Sequence, residues 1–357
     1  MTTRRDFMAS AAAFAALTGC TGPQAAGPNP KADFLWAFLL HFGGNIAGDI
    51  SVPPKRGNRM SDLLTDGEFA AASKEEFWKK DHLRFDHGLW KSLSAKLRAD
   101  GCNMIVMDVL EGVVYPSHPE LAVRGSWSPE KLADEIARLR GMGFEVVPKH
   151  NFSTCHHAWM GPYRRMVSTP KYYEVCKDLI ADVFDIFGDI RFFHLGMDEE
   201  DIPACHHNTS MVVMRQGDLW WHDLKFLINE VERRGTRAWV WNDYVRRFPI
   251  EDFIKRMPKS VVQSPWEYST NAASEDDKCI RAFKTMCDAG YDTVPCGSNC
   301  YGYLNNFRSI AEFGKARMDP RHLKGFLMAP WLRILEPYRR LLWQSSDHLA
   351  DARRVFA

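Results

Sequence analysis

Charge of one sign is what this 357-residue chain lacks: 46 Lys and Arg stand against 45 Asp and Glu, for a net charge of +1. That balance gives no basic field for nucleic acid and no pull toward an anionic membrane surface. Past the first twenty residues no apolar stretch approaches the roughly 20 residues that a membrane-spanning helix needs. The first predicted strand is not followed by a glycine-rich phosphate loop, because His41-Phe42-Gly43-Gly44-Asn45 lacks the required spacing, which argues against a doubly wound dinucleotide fold. Internal repeats are missing, and the one biased stretch is a Pro/Gly/Ala segment near the N-terminus.

What is present is ample material for a core: 45% of the residues are hydrophobic, 12% are aromatic, and there are 12 Trp. Several of these Trp fall at the ends of predicted strands, where an indole face suits a sugar ring as well as it suits a core. The N-terminus reads as an address. Thr3-Arg4-Arg5-Asp6-Phe7-Met8 has a twin-arginine pattern, Ala9 to Ala16 a weakly apolar one, and Leu17-Thr18-Gly19-Cys20 the form of a lipobox with Cys20 as the lipidated residue. Residues 1–19 are therefore expected to be a signal peptide carried by the twin-arginine translocase, and residues 20–33 a flexible tether. The mature protein is expected in the periplasm or at the cell surface, held to the membrane by its lipid. Eight further cysteines have no connectivity that spacing alone reveals.

From residue 34 onward, short β-rich apolar runs alternate with amphipathic helical stretches, the signature of a parallel sheet with crossover helices. The predicted strands are 34–41, 102–109, 145–151, 191–196, 237–242, 260–265, 292–296 and 325–329. Helices are expected from Ser128-Pro129 to Gly141, with an N-cap and a proline in the first turn, and over 172–187, 219–234 and 275–289. Eight such units make residues 34–357 a single (β/α)8 barrel, with residues 44–84 as a long loop over its mouth.

In a barrel, the residues at the C-terminal ends of the strands meet at one mouth. Here they are His41, Asp108 with Glu111, His150 with Asn151, His194 and the acidic run Asp198-Glu199-Glu200, Trp241 with Asp243, Trp266 with Glu267, Asn299 to Tyr303, and Trp331. Carboxylates are costly near a core without partners, so three in a row after an apolar strand point to acid/base chemistry. The indoles around them suit a carbohydrate. No cofactor is implied.

The run His194-Leu195-Gly196-Met197-Asp198-Glu199 is similar to the H-x-G-G-D-E motif of glycoside hydrolase family 20, the β-N-acetylhexosaminidases. The resemblance continues in order through His118-Pro119-Glu120-Leu121, Ser128-Pro129-Glu130 and Gly143-Phe144-Glu145-Val146-Val147-Pro148. It resumes at Trp241-Asn242-Asp243, Val262-Gln263-Ser264-Pro265-Trp266 and Tyr303-Leu304-Asn305. It implies that Glu199 is the general acid/base and that Asp198 orients the substrate's own 2-acetamido group as nucleophile. Tyr303 would bond the acetamido oxygen, and Trp241, Trp266 and Trp331 would wall the pocket, with Asp108, His150, His194, Asp243 and Glu267 as further substrate-binding candidates. The motif departs from the family pattern at Met197, where the second glycine is expected. At strand eight, Trp331-Leu332-Arg333 puts a cation where the family has a glutamate.

Two other readings compete. Glu267 could be the nucleophile of a conventional two-carboxylate glycosidase, or the barrel could be a glycan-binding surface lipoprotein that has lost its activity. The doublet Cys155-His156-His157 and Cys205-His206-His207 is either a metal site, a Cys155–Cys205 disulfide, or two unrelated polar loops. Glu200 is expected to be an outer-loop residue.

Overall fold

The computed structural model describes residues 29–46, 62–74, 79–200, 213–268, 277–299, 302 and 304–357. Eight parallel strands form one sheet in the order β6-β5-β4-β3-β2-β1-β8-β7. They are β1 (Leu35–His41), β2 (Met104–Asp108), β3 (Glu145–Lys149), β4 (Phe192–His194), β5 (Arg237–Trp241), β6 (Val262–Ser264), β7 (Cys296–Gly297) and β8 (Gly325–Met328). Two single bridges, Gln263 to Thr293 and Trp266 to Cys296, join the two ends of the sheet. The protein is a (β/α)8 barrel, as the alternation in the sequence requires. β7 is shorter than the expected 292–296. Pro265 and Pro295 supply no N–H to the ladder, so contact between β6 and β7 is reduced to those isolated bridges.

The helices begin where the sequence places caps. Ser128 accepts the Lys131 N–H at 3.3 Å ahead of the helix Pro129–Gly141. Thr169 does the same for Tyr172, also at 3.3 Å, ahead of Pro170–Phe187. In both, proline fills the first helical position, where a missing N–H costs nothing. Further helices run over Asp218–Glu232, Lys278–Asp288, Asn306–Arg317 and Arg339–Phe356. Among the described residues no helix is long and apolar enough to cross a membrane.

Strand alternation divides the core in two. Trp36, Phe38, Leu40, Ile105, Met107, Val146, Phe193, Val240 and Met328 point outward and pack under the helices. Leu35, Ala37, Leu39, Met104, Val106, Val147, Phe192, Trp239, Val262, Val294 and Leu327 fill the lumen. The N-terminal end of the barrel is braced by Arg191, which forks onto Glu145 at 2.6 and 2.7 Å, and by Asn29, which bonds both backbone groups of Val146. With that end filled, the functional groups gather at the opposite end. The expected loop over the mouth contains a helix, Asp66–Lys74, tied to the last helix by an ion pair between Glu68 and Arg340 at 2.7 Å.

Candidate active site at the strand ends

The same alternation that fills the lumen sets the floor of the site. Strand register puts His41 beside Asp108, Asp108 beside Lys149, and Lys149 beside His194, a polar row across four strands. Asp108 is fully buried, bonded by the Lys149 ammonium and 2.7 Å from His41 Nδ1. Burial alone would raise its pKa. The Lys149 charge and the His41 bond outweigh that and hold the carboxyl well below the usual carboxylate range. Burial pushes the pKa of His41 down more than Asp108 pulls it up. Asp108 is thus committed to partners inside the protein. Glu111 is committed too, accepting the backbone N–H of Gly44 at 2.7 Å and of Asn45 at 2.9 Å.

Beyond β4 the chain turns sharply. Gly196, Met197 and Glu199 all have left-handed backbones, with φ of 73°, 70° and 53°. At Gly196 a Cβ would sit 2.2 Å from Asn151 Oδ1, so only glycine fits. Met197 holds a conformation that a β-carbon disfavours, and such strain is characteristic of functional loops. Its side chain is buried in the layer beneath the helices, with Sδ 3.6 Å from Arg215 Nη2. The residue that stands in for a motif glycine therefore leaves the mouth unobstructed.

The turn splays the three carboxylates apart. Asp198 is buried, accepts the Asn151 amide at 2.9 Å, and lies 3.5 Å from His156 Nε2. The Glu199 side chain is one-third exposed, with its Oε2 3.1 Å from the same Nε2. Glu200 turns inward instead. Its side chain is only 4% exposed and is paired with the wholly buried Arg215, which also binds Asp223 at 3.2 Å and the Phe152 carbonyl at 2.8 Å. The expectation of an outer-loop Glu200 is corrected: a buried guanidinium, which the spacing around Arg215 did not reveal, draws the side chain into the core.

His156 joins the acid pair electrostatically. Burial opposes a charge on its ring, but Asp198 and Glu199 outweigh burial and bring its pKa up to about 9. At neutral pH it is an imidazolium between two carboxyls. Asp198 is raised, by burial first and by Glu199, against the pull of His156. Asp243 stands near the pair with Oδ2 accepting the Trp266 indole N–H at 2.9 Å. Burial and the Asp198 charge push its pKa up to about 7. The ligand atoms of His156, Asp198 and Glu199 lie within 4.8 Å of one another, close enough for a metal, although a charged His156 already balances one of the two carboxylates. Cys155 Sγ donates to the Glu199 carbonyl at 2.6 Å, and burial, with the Arg215 charge, pushes the pKa of His157 down. The second Cys-His-His copy lies outside the described residues.

Trp241, Trp266 and Trp331 each pack against other rings at the strand ends. Trp241 and Trp331 pack with centroids 5.9 Å apart, His194 lies 4.6 Å from Trp241, and Trp266 stacks on Tyr268 at 4.8 Å with Arg246 over its other side. Two residues from the strand-end list face elsewhere. His150 falls on the outward phase of β3, stacked on Trp159 at 4.8 Å, and burial pushes its pKa down to about 3. Glu267, between the inward Trp266 and Tyr268, lies beside Arg246, Asp277 and Cys279. Tyr303 and Cys20 are outside the described residues. Strand alternation from Val147 already puts Lys149 in the lumen. His156 was visible in the sequence only as a metal-ligand type.

The fold and site together define a (β/α)8 barrel with a histidine-bridged acid pair and a cluster of indoles at the C-terminal ends of its strands. No protein-family model and no curated protein matches the sequence. Solved structures do match in fold. A β-N-acetylhexosaminidase from Bacteroides fragilis superposes with a TM-score of 0.54 at 14% identity, over 89% of this chain and 66% of that one. A family 20 β-N-acetylglucosaminidase gives 0.51 at 10%, over 91% and 69%. Dispersin B gives 0.50 at 14%, over 75% and 95%. The chain thus spans about two thirds of the length of the first two, and at these identities the likeness establishes the fold.

Proposed function

We propose that the protein is a glycoside hydrolase that cleaves a β-linked N-acetylhexosamine, or a related amino sugar, by a substrate-assisted retaining mechanism. The observation that carries the reading is the placement of Asp198 and Glu199 on one strained turn at the barrel mouth, bridged by His156, at the same strand ends as the paired indoles Trp241 and Trp331. Glu199, the more exposed of the pair, gives its proton to the glycosidic oxygen as that bond breaks. The acetamido oxygen attacks the anomeric carbon from the other side, with Asp198 holding the acetamido N–H. Glu199 then takes a proton from the water that opens the resulting ring. His156 keeps the net negative charge of the pair small, so that two adjacent carboxyls can share one pocket. That two neighbours in fold are a β-N-acetylhexosaminidase and a β-N-acetylglucosaminidase supports this reading.

Turnover of chromogenic β-N-acetylglucosaminide and β-N-acetylgalactosaminide tests it, with binding of a thiazoline-type inhibitor as a second arm. Activity on neither substrate, together with no inhibitor binding, contradicts it. Export and lipidation at Cys20 belong to the same proposal, and the mass of the mature N-terminal peptide checks them.

A further inference from the structure

Charge balance over the whole chain hides how the charges are distributed. The turns that lead from the helices into the strands close the N-terminal end of the barrel. They comprise residues 29–34, 96–103, 138–145, 185–191, 230–237, 255–261, 284–293 and 315–325, with 351–357 at the end of the last helix beside them. Together these segments hold 19 Lys or Arg against 11 Asp or Glu. Among their exposed side chains the imbalance is ten to four. Because the chain as a whole is only +1, its other residues carry a net negative charge, the acidic residues of the mouth among them.

The cations run on from one turn to the next. Arg98 donates to the Cys102 carbonyl at 3.3 Å, Arg353 to the Asp100 carbonyl at 3.1 Å, and Lys315 to the Val355 carbonyl at 3.3 Å, which joins the ends of three helices. Arg237 and Lys324 share Asp292, at 2.7 and 3.4 Å. Complementing the helix dipole explains cations in a last turn. It does not explain Lys31 and Arg321, which lie outside any helix with side chains 56% and 82% exposed. The chain enters the barrel at this same end. Asn29 bonds both backbone groups of Val146 on β3, and Arg191 donates to the Ala32 carbonyl at 2.5 Å. Cys20 is nine residues before Asn29, a reach of at most about 30 Å.

We propose that the N-terminal face of the barrel docks on an anionic lipid surface, with the mouth turned away from the membrane so that glycan enters from the solvent side. A lipid on Cys20 makes that docking an intramolecular event. Each cation brought near anionic headgroups then adds an attraction that a balanced surface lacks. The proposal goes beyond the reading of the mouth as a hydrolase site, and the face is testable with no lipid on the chain.

Co-sedimentation of the full chain carrying Cys20→Ser with phosphatidylcholine vesicles, with and without phosphatidylglycerol, tests it. Preferential binding to the anionic vesicles is expected, weakening as salt is raised. The combination Lys315→Gln, Arg317→Gln, Arg321→Gln and Arg354→Gln should lower the partition coefficient at least about tenfold. An equal change in charge at the mouth end, made at the exposed Arg124, Lys131, Lys171 and Arg339, should leave binding near that of the parent. Both variants keep residues 1–20, so any binding by that segment cancels between them. Arg321→Gln alone, at a largely exposed side chain, should show a smaller loss in the same direction, with thermal unfolding unchanged. Equal binding to the two kinds of vesicle, no binding to either, or equal loss in the two quadruple variants overturns the proposal. So does capture by dextran sulfate beads without binding to anionic vesicles, which would assign the face to a polyanionic chain. Docking without turnover of any amino-sugar substrate upholds this face and removes the hydrolase assignment.

Discussion

His156 Nε2 lies 3.1 Å from Glu199 Oε2 and 3.5 Å from Asp198 Oδ2, so one imidazolium serves both carboxyls of the acid pair. The raised pKa of His156, about 9 against an ordinary 6.5, is a statement about stability as well as charge. A basic group whose folded pKa is raised contributes stability that is fully present below the unfolded value and disappears as pH climbs through the folded one. Wild-type stability should therefore fall between about pH 6.5 and 9, by at most about 3 kcal/mol from this group. His156→Gln should flatten that decline in urea titrations at pH 6.5 and 9. A decline of the same size in the variant refutes the assignment.

Asp243 gives a second pH signature. Its carboxyl is raised to about 7, so the folded protein holds a proton that the unfolded chain releases near pH 4. Its contribution is present below pH 4 and is lost as pH rises toward 7. Asp243→Asn, whose amide oxygen can still accept the Trp266 N–H, should change stability little at pH 4 and increase it at pH 8 by a few kcal/mol at most, on the order of 1.4 kcal/mol per pKa unit. Denaturant midpoints at the two pH values measure the difference.

The buried trio Arg215, Glu200 and Asp223 holds the acid turn from behind. Replacing Arg215 with Met leaves two carboxylates inside the protein without their cation, at a cost of about 3–5 kcal/mol. Adding Glu200→Gln and Asp223→Asn to that variant should recover part of the loss, since the stranded charges are gone. Equal stability of the single and triple variants contradicts the trio's role.

Met197→Gly isolates the oddity in the motif. Glycine relieves a left-handed backbone worth about 1–2 kcal/mol, but removes a buried side chain worth about 1.5–3 kcal/mol and leaves a cavity. The net expectation is a loss of about 1–2 kcal/mol, with turnover unchanged because the side chain points away from the mouth. A large change in turnover without loss of stability would show that Met197 reaches the substrate.

The barrel was legible in the sequence because alternation and capping are local. Val147, Lys149, His150 and Asn151 show where that reading ended. The reach of the strand to its mouth was visible, but which strand-end residues face inward depends on strand phase, and phase sends His150 behind the sheet while turning Lys149 into the lumen. Glu200 escapes the sequence for another reason: its partner Arg215 is 15 residues further along the chain, and no periodicity links the two. His156 was noticed for the ligands its ring can bind, whereas its role depends on a turn after β4 that only the three-dimensional path reveals.

Leaving-group dependence tests the central claim, that Glu199 donates the proton to the departing oxygen, most directly. Hydrolysis of an unactivated β-N-acetylhexosaminide by Glu199→Gln should fall by about 10²–10⁴-fold. Its first step on a dinitrophenyl glycoside, which departs without protonation, should stay close to the wild-type rate. An equal loss on both substrates, or no loss on either, would contradict the assignment of Glu199 as the acid.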